Sequence, residues 1–165
     1  MIACFDVHYD NNSANAAGIM FHQWDDETPA EQFTIRVSDV GDYRAGSFYE
    51  RELKPLREIL SLITCPVRHF VIDAYCHLSD DGSPGLGAYL YELLPADSII
   101  IGVAKNRFRS TSHAFELFRG NSKRPLFITS IGIDYQCAAG HIKSMAGEHR
   151  MPTLLKTVDR LSREG

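Results

Sequence analysis

Two aspartates occupy positions where a strand rarely keeps a charge. Asp6 lies inside Cys4-Phe5-Asp6-Val7, and Asp73 closes the apolar run Phe70-Val71-Ile72-Asp73. A carboxylate among buried-type neighbours costs several kcal/mol unless something compensates it. If the two strands lie side by side in one sheet, their acids converge on one edge and repel each other unless a cation lies between them. Magnesium suits that place, because it takes oxygen ligands at about 2.1 Å and shares its remaining positions with phosphate oxygens. A third acid, from the helix that begins after Gly46, would complete the set. Taken singly, each aspartate could equally be a turn or capping residue at a strand end.

Other chemistry-bearing residues form no comparable group. His77 and His149 could approach the centre, but no pair has HxxxH spacing. Trp24, the single tryptophan, reads as a packing residue. Cys4, Cys65, Cys76 and Cys137 are scattered without a CxxC pair, which argues against a zinc ribbon or disulfide framework and for a reducing compartment.

The elements that must position the acids follow from periodicity. Ile2 to Tyr9, Asn15 to Trp24 and Gln32 to Ser38 read as three strands of an antiparallel meander, parted by Asp10-Asn11-Asn12 and by Asp25 to Pro29. After Gly46 the period changes. Phe48, Leu53, Leu56, Ile59, Leu60 and Ile63 recur at helical spacing and stop before Pro66. Val67 to Ala74 and Ser98 to Ala104 are apolar runs of the kind a buried parallel strand shows, with a helix opened by Pro84 between them. His113 to Phe118 and Pro125 to Ser130 read as a strand pair about Gly120-Asn121-Ser122. Asp134 to Ala146 and Pro152 to Arg163 read as helices, with Asp134 near the N-cap of the first. The order predicts a mixed α/β sheet of five strands, a meander followed by parallel crossovers, in which the first and fourth strands can be neighbours.

The 165 residues suit one domain spanning 1–165, with 44% hydrophobic and 23% charged residues as in a soluble globular protein. No apolar run approaches the ~20 residues of a membrane span, and the sequence from Met1 shows no basic leader. A cytoplasmic monomer is the expectation. The net charge of −4 conceals an asymmetry. Residues 1–101 carry 6 Lys/Arg against 16 Asp/Glu, and residues 102–165 carry 11 against 5. Such a division fits an acidic metal centre beside a basic phosphate-binding flank, and equally fits unevenly solvated faces.

The chain also resembles the endonuclease V family. Phe5-Asp6-Val7-His8-Tyr9 is similar to its first-strand DVAY-type motif. Tyr43-Arg44-Ala45-Gly46 followed by Arg51-Glu52 is similar to its Tyr-x-Pro-Gly…Phe-Arg-Glu segment, with the same spacing from Tyr to Glu. Val71-Ile72-Asp73-Ala74 resembles its hydrophobic-Asp-Gly strand end, and Ile101-Gly102-Val103-Ala104-Lys105-Asn106 its Ile-Gly-Val-Ala-Lys-Ser element. Residues 125–132 resemble its Pro-x-x-Val-Ser-x-Gly strand, and Arg150-Met151-Pro152 its Arg-Ile-Pro entry to the last helix. These matches come in family order along nearly the whole chain.

The resemblance implies a ribonuclease H-like mixed sheet with helices on both faces. It implies an endonuclease using Mg2+ or Mn2+ that cuts DNA or RNA slightly 3′ of a deaminated purine, chiefly inosine. Asp6, Glu52 and Asp73 would be metal ligands and catalytic. Lys105 would meet the developing phosphate charge, and Tyr43 and Gly46 would belong to the nucleic-acid contact, Tyr43 by stacking on a base.

Four departures set this chain apart from the family pattern. The resemblance implies a His directly after the Gly of the Ser-x-Gly strand as part of the metal centre. Here that residue is Ile133, with Asp134 next, so Asp134 could be a fourth metal ligand or simply a helix N-cap. The strand-separating loop reads Asp42-Tyr43-Arg44-Ala45, without its prolines. The pocket segment after the second catalytic strand reads Ala74 to Gly82, without the His-Pro-Arg run, and residues 107–124 are shorter than in the family. These changes keep two alternatives open: a nucleic-acid-binding relative with weakened catalysis, and a ribonuclease H-like assembly module.

Overall fold

The structure is a computed structural model and describes residues 1–41, 48–109 and 112–165. In chain order its elements are β1 (Ile2–Asp10), β2 (Ser13–Phe21), β3 (Glu31–Ser38), α1 (Phe48–Leu60), β4 (His69–Ile72) and α2 (Leu86–Tyr91). They continue with β5 (Ile99–Ala104), β6 (Phe115–Leu117), β7 (Leu126–Ile131), α3 (Tyr135–Ser144) and α4 (Thr153–Glu164). One sheet holds all seven strands in the order β3-β2-β1-β4-β5-β7-β6. β1, β4 and β5 run parallel, and the other pairings are antiparallel.

The meander is as the sequence predicts. Asp10 pairs with Ser13 across a two-residue turn whose Asn11 has φ of 52°, the left-handed backbone that Asn tolerates and tight hairpins need. The sheet has seven strands rather than five because the 113–118 and 125–130 segments form a hairpin that joins it. β7 pairs with β5 from Ile100↔Ile131 to Ala104↔Phe127, and β6, only three residues long, closes the edge.

Strand periodicity divides the core into two layers. Ile2, Cys4, Val71, Ile101 and Val103 pack on one face under α3 and α4. Ala3, Phe5, Phe70, Ile72 and Ile100 pack on the other under α1 and α2. Helices therefore cover both faces, and the six residues of β5 are all buried, as a central parallel strand requires.

Two features hold the connecting segments over this sheet. After Asp73 the chain crosses above β5, where Gly102 leaves room: a Cβ there would collide with the Ala74 carbonyl oxygen. The crossing is pinned where the Cys76 amide donates to Thr129 Oγ1 at 2.8 Å. Arg119, 6% exposed, donates to the carbonyl oxygens of His149 and Met145 at 2.6 Å each, and to that of Gly147 at 3.2 Å. With no carboxylate in that set, burial lowers the guanidinium pKa, and the carbonyls that hold it fix the approach to α4. Among the described residues no helix is long and apolar enough to cross a membrane.

Candidate active site

Alternation along the three parallel strands brings the predicted residues together. Asp6 follows Ile2 and Cys4 on the α4 face, Asp73 follows Val71, and Lys105 follows Ile101 and Val103. The last parallel pairs are Phe5↔Ile72 and Ile72↔Gly102, so Asp6 and Asp73 stand beside each other where β1 and β4 part. This is the carboxyl-end edge at which open α/β sheets bind ligands. Lys105 Nζ reaches Asp73 Oδ2 at 2.6 Å.

Residues of α4 complete the edge, and sequence reasoning missed them. Asp159 Oδ1 lies 3.7 Å from Lys105 Nζ, and Arg163 Nε donates to Asp159 Oδ2 at 3.0 Å. Asp159 is thus the fourth acid of the centre. The Arg163 hydrogen bond above all holds its pKa low, against burial, with Lys105 contributing. Ser162 is fully buried and donates to Asp6 Oδ2 at 2.8 Å. Its signal was available: Leu155, Val158 and Ser162 share one buried helical stripe, and a hydroxyl at a core position needs a partner.

Glu52 arrives from α1 on the opposite face and lines a cavity of about 50 Å³ with Asp6, Asp73 and Tyr9. Burial first, then Asp73, pushes its pKa up to about 7, with Arg51 opposing. Burial likewise raises the Asp6 pKa; the Ser162 bond opposes this, while Asp73 and Asp159 add to it. Burial lowers the Lys105 pKa, but the carboxylates of Asp73, Asp159 and Asp6 outweigh it and keep the ammonium charged. Tyr9, a further residue the sequence did not single out, carries Arg51 over its ring at 4.7 Å and has a buried hydroxyl without a partner among the described residues.

Asp134 is a correction. Because β7 runs antiparallel to β5, its end lies beside Ile100, at the opposite edge of the sheet from Lys105. There Asp134 caps α3, accepting from the Cys137 amide at 2.7 Å, and that bond lowers its pKa. Ile133 lies at the same far edge, packed on the core, so neither it nor its neighbour belongs to this centre. Tyr43 and Gly46 lie outside the described residues.

Among the described residues no three His, Cys, Asp or Glu side chains already surround a common point as a closed metal cage. The donor set nonetheless fits a hard divalent cation. Its donors are all carboxylate oxygens, which suit Mg2+ and Mn2+. Two of them, Asp6 and Glu52, hold their protons more tightly than usual because burial and neighbouring acids leave their charge poorly compensated.

A larger groove opens from Glu52 and Asp73. Its cavity of about 610 Å³ runs along the altered segment after β4, between Tyr75, Leu86, Tyr89 and Phe108. Tyr49 and Tyr89 stack at 3.8 Å between ring centroids. The Tyr75 hydroxyl donates to the Asn106 carbonyl at 2.7 Å and accepts from the Phe108 amide at 3.1 Å, tying the loops after β4 and β5 together.

No protein-family model and no curated protein matches this sequence, but solved structures resemble its fold. Ciona intestinalis endonuclease V, in complex with a 24mer DNA containing an inosine followed by a ribo-adenosine, aligns with a TM-score of 0.81 at 17% identity, over 99% of this chain and 84% of its own. Human ENDOV gives 0.80 at 19% identity, over 99% and 82%. The Streptomyces avermitilis endonuclease V gives 0.74 at 21% identity, over 99% and 79%. The chain has an endonuclease V-like, ribonuclease H-like α/β fold.

Proposed function

We propose that this protein is a metal-dependent endonuclease that hydrolyses phosphodiester bonds in DNA or RNA on the 3′ side of deaminated purines such as inosine. The observation that carries the reading is the convergence of Asp6, Glu52, Asp73 and Asp159 with Lys105 at the carboxyl edge of an endonuclease V-like sheet. Support for the substrate comes from the inosine-containing DNA bound by the Ciona relative.

Asp6, Glu52 and Asp73 would hold Mg2+ or Mn2+. A bound ion of this kind supplies a water-derived nucleophile at neutral pH and neutralises charge on the phosphoryl oxygens. The chain's own groups do the remaining work. Ser162 fixes the Asp6 carboxylate, and Asp73 with Asp159 holds the Lys105 ammonium beside the centre, where it offsets charge developing on the scissile phosphate. The aromatic groove gives a flipped base room and ring faces to stack on.

A second reading, a nucleic-acid-binding relative with weakened catalysis, draws on one contact. Lys105 sits directly on Asp73, one of the oxygens a metal would need. Incubation of inosine-containing single- and double-stranded DNA and RNA with Mg2+ or Mn2+ separates the two. Cleavage that is lost in Asp6→Ala supports the nuclease. Binding without cutting in either metal overturns it.

A further inference from the structure

We propose that the turn of the β6–β7 hairpin is a second nucleic-acid contact, in which Phe118 stacks on a base while Lys123 and Arg124 hold neighbouring backbone phosphates. The inference rests on the nuclease reading and assigns it a surface outside the acidic centre.

Register places this turn at the working edge of the sheet. Leu117 pairs with Leu126, and Phe127 with Ala104, so residues 118–125 turn at the edge that also carries Lys105. Three strand spacings separate β6 from β4, about 14 Å at the usual interval. That is about four base-pair steps along a duplex, which places the turn over nucleotides flanking the reacting phosphate.

The turn carries what a nucleic-acid strand recognises. Phe118 is 53% exposed, the most open large apolar side chain among the described residues, although its neighbours Leu117 and Arg119 are buried. An exposed aromatic ring on the same turn as two exposed cations is the combination that base stacking with phosphate contact uses. Lys123 and Arg124 are both exposed, and no carboxylate forms an ion pair with either among the described residues. Arg124 Nη2 donates to Asn106 Oδ1 at 3.2 Å, which links the turn to the residue after Lys105.

The turn is also preorganised. Ser122 Oγ donates to the Arg124 carbonyl at 3.0 Å and accepts from its amide at 3.1 Å. Gly120, with φ of +59°, lies so close to the Glu148 carbonyl that a Cβ would collide with it, and Arg119 anchors the base of the turn. A rigid mount lowers the ordering cost of binding. An acidic protein partner would use the same cations but leave the ring without a stacking role.

The test is fluorescence anisotropy of labelled inosine-containing single-stranded and duplex oligonucleotides in EDTA, so that no strand is cut, at several salt concentrations. The unsubstituted protein is compared with Phe118→Ala, Phe118→Trp and Lys123→Ala/Arg124→Ala, each checked by thermal melting. Loss of two phosphate contacts is expected to lower the slope of log K against log salt by about 2. Phe118→Ala is expected to weaken binding by ~5- to 150-fold at unchanged slope, with Phe118→Trp restoring it. Unchanged affinity in Phe118→Ala overturns the stacking, and an unchanged slope in the double variant overturns the phosphate contacts. If the unsubstituted protein shows no salt-dependent binding at all, both this inference and the nuclease reading fall.

Discussion

The two edges of the parallel strands carry similar residue types in opposite states. At the amino-terminal edge the acid and the histidines have structural occupations. Asp134 caps α3, and His69 and His141 pack around Trp24, with His141 stacked on the indole at 4.7 Å. At the carboxyl edge, Asp6 and Glu52 are half-buried beside other acids, and their pKa values rise because the structure does not fully compensate them. Folding alone gains nothing from such crowding. Such crowding is what the proposed divalent-cation centre would use.

Substitutions can break or sharpen that contrast. Asp6→Ala removes the acid shared by both parts of the centre, and cleavage is expected to fall by at least about a thousandfold, more than for loss of one transition-state donor. Lys105→Ala is expected to cost about 10²- to 10³-fold in kcat with little change in substrate binding. Ser162→Ala frees the Asp6 carboxylate without removing it, and is expected to reduce activity and metal affinity by about 10- to 100-fold. Asp134→Ala at the opposite edge is expected to leave cleavage unchanged and to lower Tm by a few degrees through loss of an N-cap. If Asp134→Ala matched Asp6→Ala in activity, the contrast between the edges would collapse.

The edges also differ in pH response. Burial and Asp73 push the Glu52 pKa in the metal-free fold up to about 7, against 4.5 for an unperturbed glutamate. The folded state therefore binds that proton more tightly than the unfolded chain. Its stabilising contribution is complete below about pH 4.5 and is lost as pH rises through 7. Melting in EDTA between pH 5 and 8 should show Tm falling as pH rises, with a smaller fall in Glu52→Gln. Adding Mg2+ at pH 8 should recover Tm in the unsubstituted protein, because the ion binds only the folded state. Parallel curves for the two proteins would contradict the position assigned to Glu52.

Much of this edge was legible in the sequence, for a physical reason. An acid set in or at the end of an apolar strand calls for compensation, so strand chemistry drew attention to Asp6 and Asp73 as a pair, although each alone could have been a turn or cap, and alternation puts them on one face. Lys105 and Glu52 depended on motif resemblance, because a lysine after a strand or a glutamate in an amphipathic helix is ordinary in itself. Asp159 was hidden for the same reason: with Lys156, Arg160 and Arg163 around it, it reads as part of a solvated helix face. Asp134 drew attention because it follows the Gly of the Ser-x-Gly strand. Only the antiparallel direction of β7, which a short hairpin decides, shows that position to be at the wrong edge.

The claim on which the account depends is that the carboxyl-edge acids form a divalent-cation centre. Titration of Mn2+ into the protein, followed by loss of the free-ion electron paramagnetic resonance signal, tests it without needing a substrate. The account predicts saturable binding by the unsubstituted protein and by Asp134→Ala, and its loss in Asp6→Ala. Equal Mn2+ binding by Asp6→Ala would contradict it.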